Sequence, residues 1–216
     1  MKALLVLLPA LLLTACVGPR PSRDDDLETP RQVHVELVRG LLNQSQFYAA
    51  LAHIQQARAN GDSSNELRYL EAEALRRLQR AQSAETIYRE LLKTDLAAQG
   101  YQGLGLLSGD RDATAAVGYL RKAAKKAPTD AGIRNDLGYA LMLAARYPEA
   151  LAELSTAAEL APGDERSANN LIVLMVLMDD ETSVRRLAQD AGVDAPRLAE
   201  LRRQAQSLKK PVRSRG

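Results

Sequence analysis

Residues Pro128–Pro162 read PTDAGIRNDLGYALMLAARYPEALAELSTAAELAP, and this stretch decides the fold. Leu137, Gly138 and Leu141 recur at helical spacing, as do Ala150, Leu154 and Ala157. Arg146-Tyr147-Pro148 separates the two runs, so the stretch predicts two antiparallel helices joined by a short turn. Small residues (Gly138, Ala150, Ala157) belong where two helix backbones approach, and Leu137, Leu141 and Leu154 fill the space beside them. Pro162 cannot continue a helix and sets the break.

Outward from this stretch the pattern repeats. Ala50, Ala84, Ala116 and Ala150 hold the small place of the second helix, at separations of 34, 32 and 34 residues. A large residue follows four positions on, at Ile54, Tyr88, Leu120 and Leu154. Seven on come Ala57, Leu91, Ala123 and Ala157. The first helices carry Leu37/Leu41, Ala72/Leu75 and Leu104/Gly105. The third copy has a shortened turn at Ser108–Asp112. An incomplete fifth unit opens with Asn169-Asn170-Leu171, where Ile172 replaces Gly138 and predicts a splayed helix pair. Asp194-Ala195-Pro196 reads as the start of a last polar helix, about 195–208, able to cap an open stack. Residues 32–208 are thus expected to form an all-α solenoid of four to five helical hairpins with a C-terminal capping helix.

This array resembles the tetratricopeptide repeat. Leu137, Gly138, Leu141, Ala150, Leu154, Ala157 and Pro162 occupy that family's signature places in order, while Arg134 departs from its aromatic-favouring place. The resemblance implies a concave face built by the first helices, carrying Tyr69, Glu73 and Arg76, then Asn135, Tyr139 and Met142, then Asn169, Val173 and Val176. Asparagines there can bond an extended peptide, with Met and Val receiving its apolar side chains. The same asparagines equally suit bonding between hairpins. No lysine cluster of the kind that clamps acidic tails is present on this face.

The amino end carries a different message. Met1-Lys2 precedes an apolar run, Ala3–Leu13, that is shorter than the roughly 20 residues of a spanning helix but suits a signal peptide. It ends in Leu13-Thr14-Ala15-Cys16, which resembles the lipobox of bacterial lipoproteins. That resemblance implies removal of residues 1–15, a covalent lipid on Cys16, and, with Val17 rather than Asp next, the periplasmic face of the outer membrane. Residues 16–31 hold prolines and an acidic cluster, Asp24–Asp26 with Glu28, and are expected to be a disordered tether. Residues 209–216 are expected to be a disordered basic tail.

Composition narrows the function classes. A formal net charge of +2 is too small to indicate nucleic-acid binding. The single cysteine excludes an internal disulfide and any multi-cysteine metal site. His34 and His53 fall on different helices without metal-ligand spacing. Gly103-Leu104-Gly105 reads as helix packing, and no nucleophile elbow or phosphate loop occurs. The expectation is no enzyme, no metal and no cofactor beyond the lipid. The layout of lipobox, tether and Asn-Asp-Leu-Gly-Tyr-Ala-Leu repeat resembles the lipoproteins of tight-adherence (Flp) pilus assembly, the TadD-like family. That resemblance implies a pilotin-like adaptor whose partner is a secretin or another pilus component. Type IV pilus pilotins, and envelope adaptors of peptidoglycan or polysaccharide enzymes, are the alternatives on the same scaffold.

The anchor is testable alone. Cys16→Ser, if still exported and cleaved, is expected to move the protein from the membrane to the soluble periplasmic fraction, because an acylated cysteine is its sole expected hold on the bilayer. A mutant that stays with the membrane on fractionation sinks the lipoprotein reading.

Overall fold

The computed structural model describes residues 30–109 and 111–209, so Cys16, the remainder of residues 1–29, and residues 210–216 lie outside the described residues. Eleven helices and no strands occur among the described residues. Five pairs follow in order: α1 (Pro30–Asn43) with α2 (Phe47–Ala59), α3 (Asn65–Arg77) with α4 (Ala81–Leu91), and α5 (Ala97–Ser108) with α6 (Ala113–Lys126). Then come α7 (Ala131–Leu143) with α8 (Tyr147–Leu160), and α9 (Glu165–Leu177) with α10 (Glu181–Asp190). The final helix, α11 (Ala195–Lys209), packs on α9. Each first helix also touches the first helix of the next pair from α1 through α9, which makes the stack a solenoid.

The second-helix code lies inside throughout: Ala50, Ala84, Ala116 and Ala150 are buried, with Ile54, Tyr88, Leu120 and Leu154 beside them. Sixteen residues before Leu154 stands Gly138, where a Cβ would lie 2.5 Å from the Leu154 Cγ. Gly105 meets Leu120 in the same way at 2.6 Å. The glycines are therefore there for close approach, not for backbone freedom. The last pair solves the problem in reverse. Ile172 fills the glycine's place, but it is fully buried, and the partner sixteen residues on is the small Ala188, with Val184 also buried. The last pair nevertheless touches less extensively than α7 with α8 or α5 with α6, in keeping with the expected splaying.

Four of the turns within pairs share one geometry. Ser45, Gln79, Ala145 and Asp179 all have positive φ, between 55° and 61°. Each is followed by a residue whose amide reaches back into the first helix: Gln46 N to Leu41 O at 2.8 Å, Arg80 N to Leu75 O at 2.9 Å, Arg146 N to Leu141 O at 2.9 Å, and Asp180 N to Met175 O at 3.0 Å. This Schellman closure satisfies otherwise orphaned carbonyls and offsets the left-handed backbone. The third turn is not shortened as expected: residues 109–112 join α5 to α6, four residues against three in the other pairs, and the shorter element before it is α4, of 11 residues. Asp112 ends the turn, its carboxylate accepting from Ala115 N to cap α6. Asp130, Asp164 and Asp194 likewise accept from Ile133 N, Ser167 N and Arg197 N at the starts of α7, α9 and α11.

Three expectations need correction. Leu37 is 45% exposed, and Val35 and Val38 are the residues of α1 that turn inward. Val38 stands sixteen residues before Ile54 as Gly138 does before Leu154, so Leu37 keeps the register of Leu137 and only its exposure departs from expectation. Lys209 belongs to α11 and its ammonium lies 2.7 Å from Asp179, so the basic tail starts one residue later than expected. At the other end α1 begins at Pro30, inside the segment expected as tether.

Gly138→Leu is expected to lower the thermal midpoint, at a cost of about 1–3 kcal/mol from overpacking against Leu154. Adding Leu154→Ala should restore part of the loss. An unchanged melt for the single mutant would contradict the crossing contact.

Candidate functional site: the face of the first helices

The face in question is built by α1, α3, α5, α7 and α9 lying side by side. Its amino half is anchored from beneath by Tyr88 of α4. This ring is fully buried, and the next first helix makes room with Gly103, whose Cβ would fall within 2.3 Å of it. The Tyr88 hydroxyl donates to the Glu73 carboxylate, which also receives the Arg76 guanidinium at 2.7 Å. Burial, together with the Glu73 charge, pushes the Tyr88 phenol up, out of any physiological titration. Tyr69 is raised for the same two reasons. Burial pulls Arg76 down, but Glu73 outweighs it and keeps the guanidinium firmly charged. Around this trio Arg39, Leu42, Asn43, Phe47, Tyr69, Leu70, Glu73 and Arg77 line a cavity of about 140 Å³.

The carboxyl half is different from expectation. Asn135 is 2% exposed, and its side-chain oxygen accepts from the Asn170 amide at 2.9 Å. It bonds one first helix to the next and is not offered to a ligand. Met142 and Val173 are buried members of the main core. The reason is stacking: α9 has α7 on one flank and α11 on the other, so residues expected to face solvent are covered by neighbours. Tyr139 and Val176 are half-buried against the same core, and Asn169 borders a cavity of about 230 Å³ with Glu165, Gly192 and Arg197. Of the nine expected face residues, the structure brings Tyr69, Glu73 and Arg76 together, leaves Tyr139, Asn169 and Val176 at the margin, and withdraws Asn135, Met142 and Val173.

Residues outside the expected set complete the face. The Gln102 amide of α5 donates to the Asp136 carboxylate of α7 at 2.7 Å, and Arg166 of α9 approaches it at 3.4 Å. Desolvation raises the Asp136 pKa above the usual carboxylate range, with Gln102 and Arg166 only partly opposing it. Gln102, Asp136 and Asn170 stand at successive 34-residue offsets, a signal readable as polar residues stacked on neighbouring repeats. The cations here are spoken for: Arg39 pairs with Glu66 at 2.6 Å, Arg134 with Glu153 at 2.7 Å, and Arg76 with Glu73. His34 and His53, remote in sequence, meet across α1 and α2, with His34 Nε2 donating to the His53 carbonyl at 2.9 Å. Among the described residues no group of three or more His, Cys, Asp or Glu side chains is placed to hold a metal ion. No helix among them is long and apolar enough to cross a membrane.

Tetratricopeptide repeat models match residues 35–101 and 107–172. The chain belongs to the tetratricopeptide repeat family. It is 35% identical over 203 residues to a TPR repeat-containing protein of Pseudomonas aeruginosa, covering 90% of this chain and 81% of that one. Among solved structures it is similar to a thermophilic TPR protein of Thermus thermophilus (TM-score 0.66, 21% identity, 82% of this chain and 97% of that one). It is also similar to YrrB, described as a TPR protein with an unusual peptide-binding site (TM-score 0.53, 18% identity, 81% and 90%). A third is MamA of Desulfovibrio magneticus (TM-score 0.56, 19% identity, 80% and 94%). The tetratricopeptide fold is that of a scaffold for protein–protein contact.

Asp136 yields a pH test. Because its folded pKa is raised, the folded state holds this proton more tightly than the unfolded chain, so the ionised carboxylate subtracts stability at neutral pH. That loss is relieved as pH falls through the raised value. Asp136→Asn, which keeps an acceptor for Gln102, is expected to melt at or above wild type near pH 7, with the advantage shrinking toward about pH 4. A mutant that melts well below wild type at neutral pH would reverse this assignment.

Proposed function

We propose that this protein is a lipid-anchored adaptor at the periplasmic face of the outer membrane that holds a segment of a partner protein against α1 and α3. Its role is to assist assembly of a pilus or secretion machine, with a secretin or another pilus component as partner. One observation carries the binding part: the cavity between α1 and α3 has an apolar floor of Leu42, Phe47 and Leu70 and a charged rim of Arg39, Glu73 and Arg77. Few fixed polar groups around an apolar depression are what orient a bound side chain. The rim is also preorganised, since Glu73 and Arg76 are already held by each other and by Tyr88. The similarity to YrrB, whose own description includes a peptide-binding site, supports a peptide ligand. The Leu13-Thr14-Ala15-Cys16 sequence supports the anchor, and the resemblance to tight-adherence lipoproteins supports the machine.

The chemistry divides cleanly. The lipid supplies location and raises local concentration, while the repeats supply recognition. Arg39 and Arg77 border the cavity, reach solvent and stand outside the buried small–large code, so both can be changed with little effect on folding. Arg39→Glu with Arg77→Glu is expected to weaken binding to a co-purified secretin partner by at least ~10-fold, equivalent to about 1.4 kcal/mol, with helical circular dichroism intact. Unaltered binding would take the site off this face. Loss of secretin multimers in cells that express this variant at normal levels would tie the face to assembly. Normal multimers with abolished binding would dissociate the two.

A further inference from the structure

The two ends of the stack are built differently. Inside the array, each first helix packs against the second helix of the preceding pair. Gly100 of α5 shows the contact directly, since a Cβ there would lie 2.8 Å from the Tyr88 carbonyl and 3.3 Å from Leu91 Cβ on α4. In α7 the corresponding residues of this inward surface are Ile133, Leu137, Ala140 and Leu141, all buried. One hundred residues earlier, α1 carries the same kind of residues: Val33, Leu37, Gly40 and Leu41. Val33 is 52% and Leu37 45% exposed, and a Cβ on Gly40 would meet nothing within 4 Å. The first repeat therefore keeps an internal interface with no neighbour among the described residues. At the other end α11 turns Arg197, Glu200, Arg203 and Lys209 outward, the polar finish expected of a cap.

On the lipoprotein reading proposed above, on which this inference rests, residues 1–15 are removed; residues 17–29, which precede α1, contain two prolines and four carboxylates and lack the small–large–small code of a second helix such as Ala50-Ile54-Ala57. The acidic run beside α1 also disfavours an anionic bilayer as the covering surface. The strip is self-complementary. An antiparallel pair of α1 helices centred on Leu37 sets Val33 against Leu41 of a second copy, and Gly40 against His34, small opposite large. It contains no carboxylate, ammonium or guanidinium, which a two-fold axis would set against its own image. We propose that this protein dimerises through the Val33–Leu37–Leu41 strip of α1, two copies supplying each other with the neighbour that the first repeat lacks.

The test uses residues 17–216, which contain the whole described fold and no cysteine. Sedimentation equilibrium from about 1 to 200 μM is expected to show a monomer–dimer equilibrium in the micromolar range. Leu37→Glu should weaken it at least ~100-fold with helical content unchanged, because the dimer would bury two facing carboxylates. Leu37→Cys should cross-link with a short bismaleimide, while Met178→Cys, at an exposed apolar site on another surface, should not. Wild type that stays monomeric over the whole range overturns the proposal, as does a Leu37→Glu dimer, equal cross-linking at both sites, or a monomer that instead co-sediments with anionic vesicles.

Discussion

The close contact between a small residue on a first helix and a large one fifteen or sixteen positions later, seen at Gly105–Leu120 and Gly138–Leu154, sets the geometry from which the rest follows. It allows two helix backbones to approach closely enough to expel solvent along their whole seam. The dimensions are unforgiving: at Gly138 and Gly105 even one methyl group would collide with the facing leucine. The last pair departs from this, with Ile172 in the glycine's place and Ala188 sixteen residues on, both buried. The second pair shows what happens when the large member is larger still. Tyr88 overfills the place, Gly103 of the following helix yields to it, and the hydroxyl emerges at Glu73. A packing solution thereby delivers a hydrogen-bond donor to the face of the first helices and links core and surface chemistry.

That link shapes the electrostatics of the face. Glu73 and Arg76 are both mostly covered and paired with each other, Tyr88 bonding the carboxylate, and the Glu73 charge keeps the Arg76 guanidinium firmly protonated. Asp136 has no comparable cation: Arg166 stands off at 3.4 Å, and the carboxylate leans on a neutral amide. The two halves of the face are therefore unlike, one preorganised around an ion pair beside an open cavity, the other closed by neighbouring helices and held by amide–carboxylate and amide–amide bonds. Pairs farther out, such as Arg121 with Glu149 or Arg89 with Glu85, sit in water, where solvent and salt screen such contacts and leave them little weight. They decorate the repeat and do not decide its fold.

Much of this was legible before any coordinates. Spacing alone places all four second-helix alanines and their large partners, the glycine contacts, the Asp194 cap and the final helix, because those features depend on local periodicity and on volumes that a helix presents every three to four residues. The exposure of Leu37 was not legible, because it keeps the register of Leu137 while no neighbour among the described residues covers its side of α1. What only the tertiary structure decided is which side of each first helix meets water. Asn135, Met142 and Val173 occupy the same helical positions as the partly exposed Tyr69, Arg76 and Glu73, yet α9 and α11 stack over their end of the face and bury them fully. Likewise His34 meets His53, and Gln102 meets Asp136, through contacts between helices rather than along one. A one-dimensional pattern encodes the face a helix must bury against its own partner. Exposure of the remaining faces depends on how many repeats lie to either side and how they turn, and those are properties of the assembled stack.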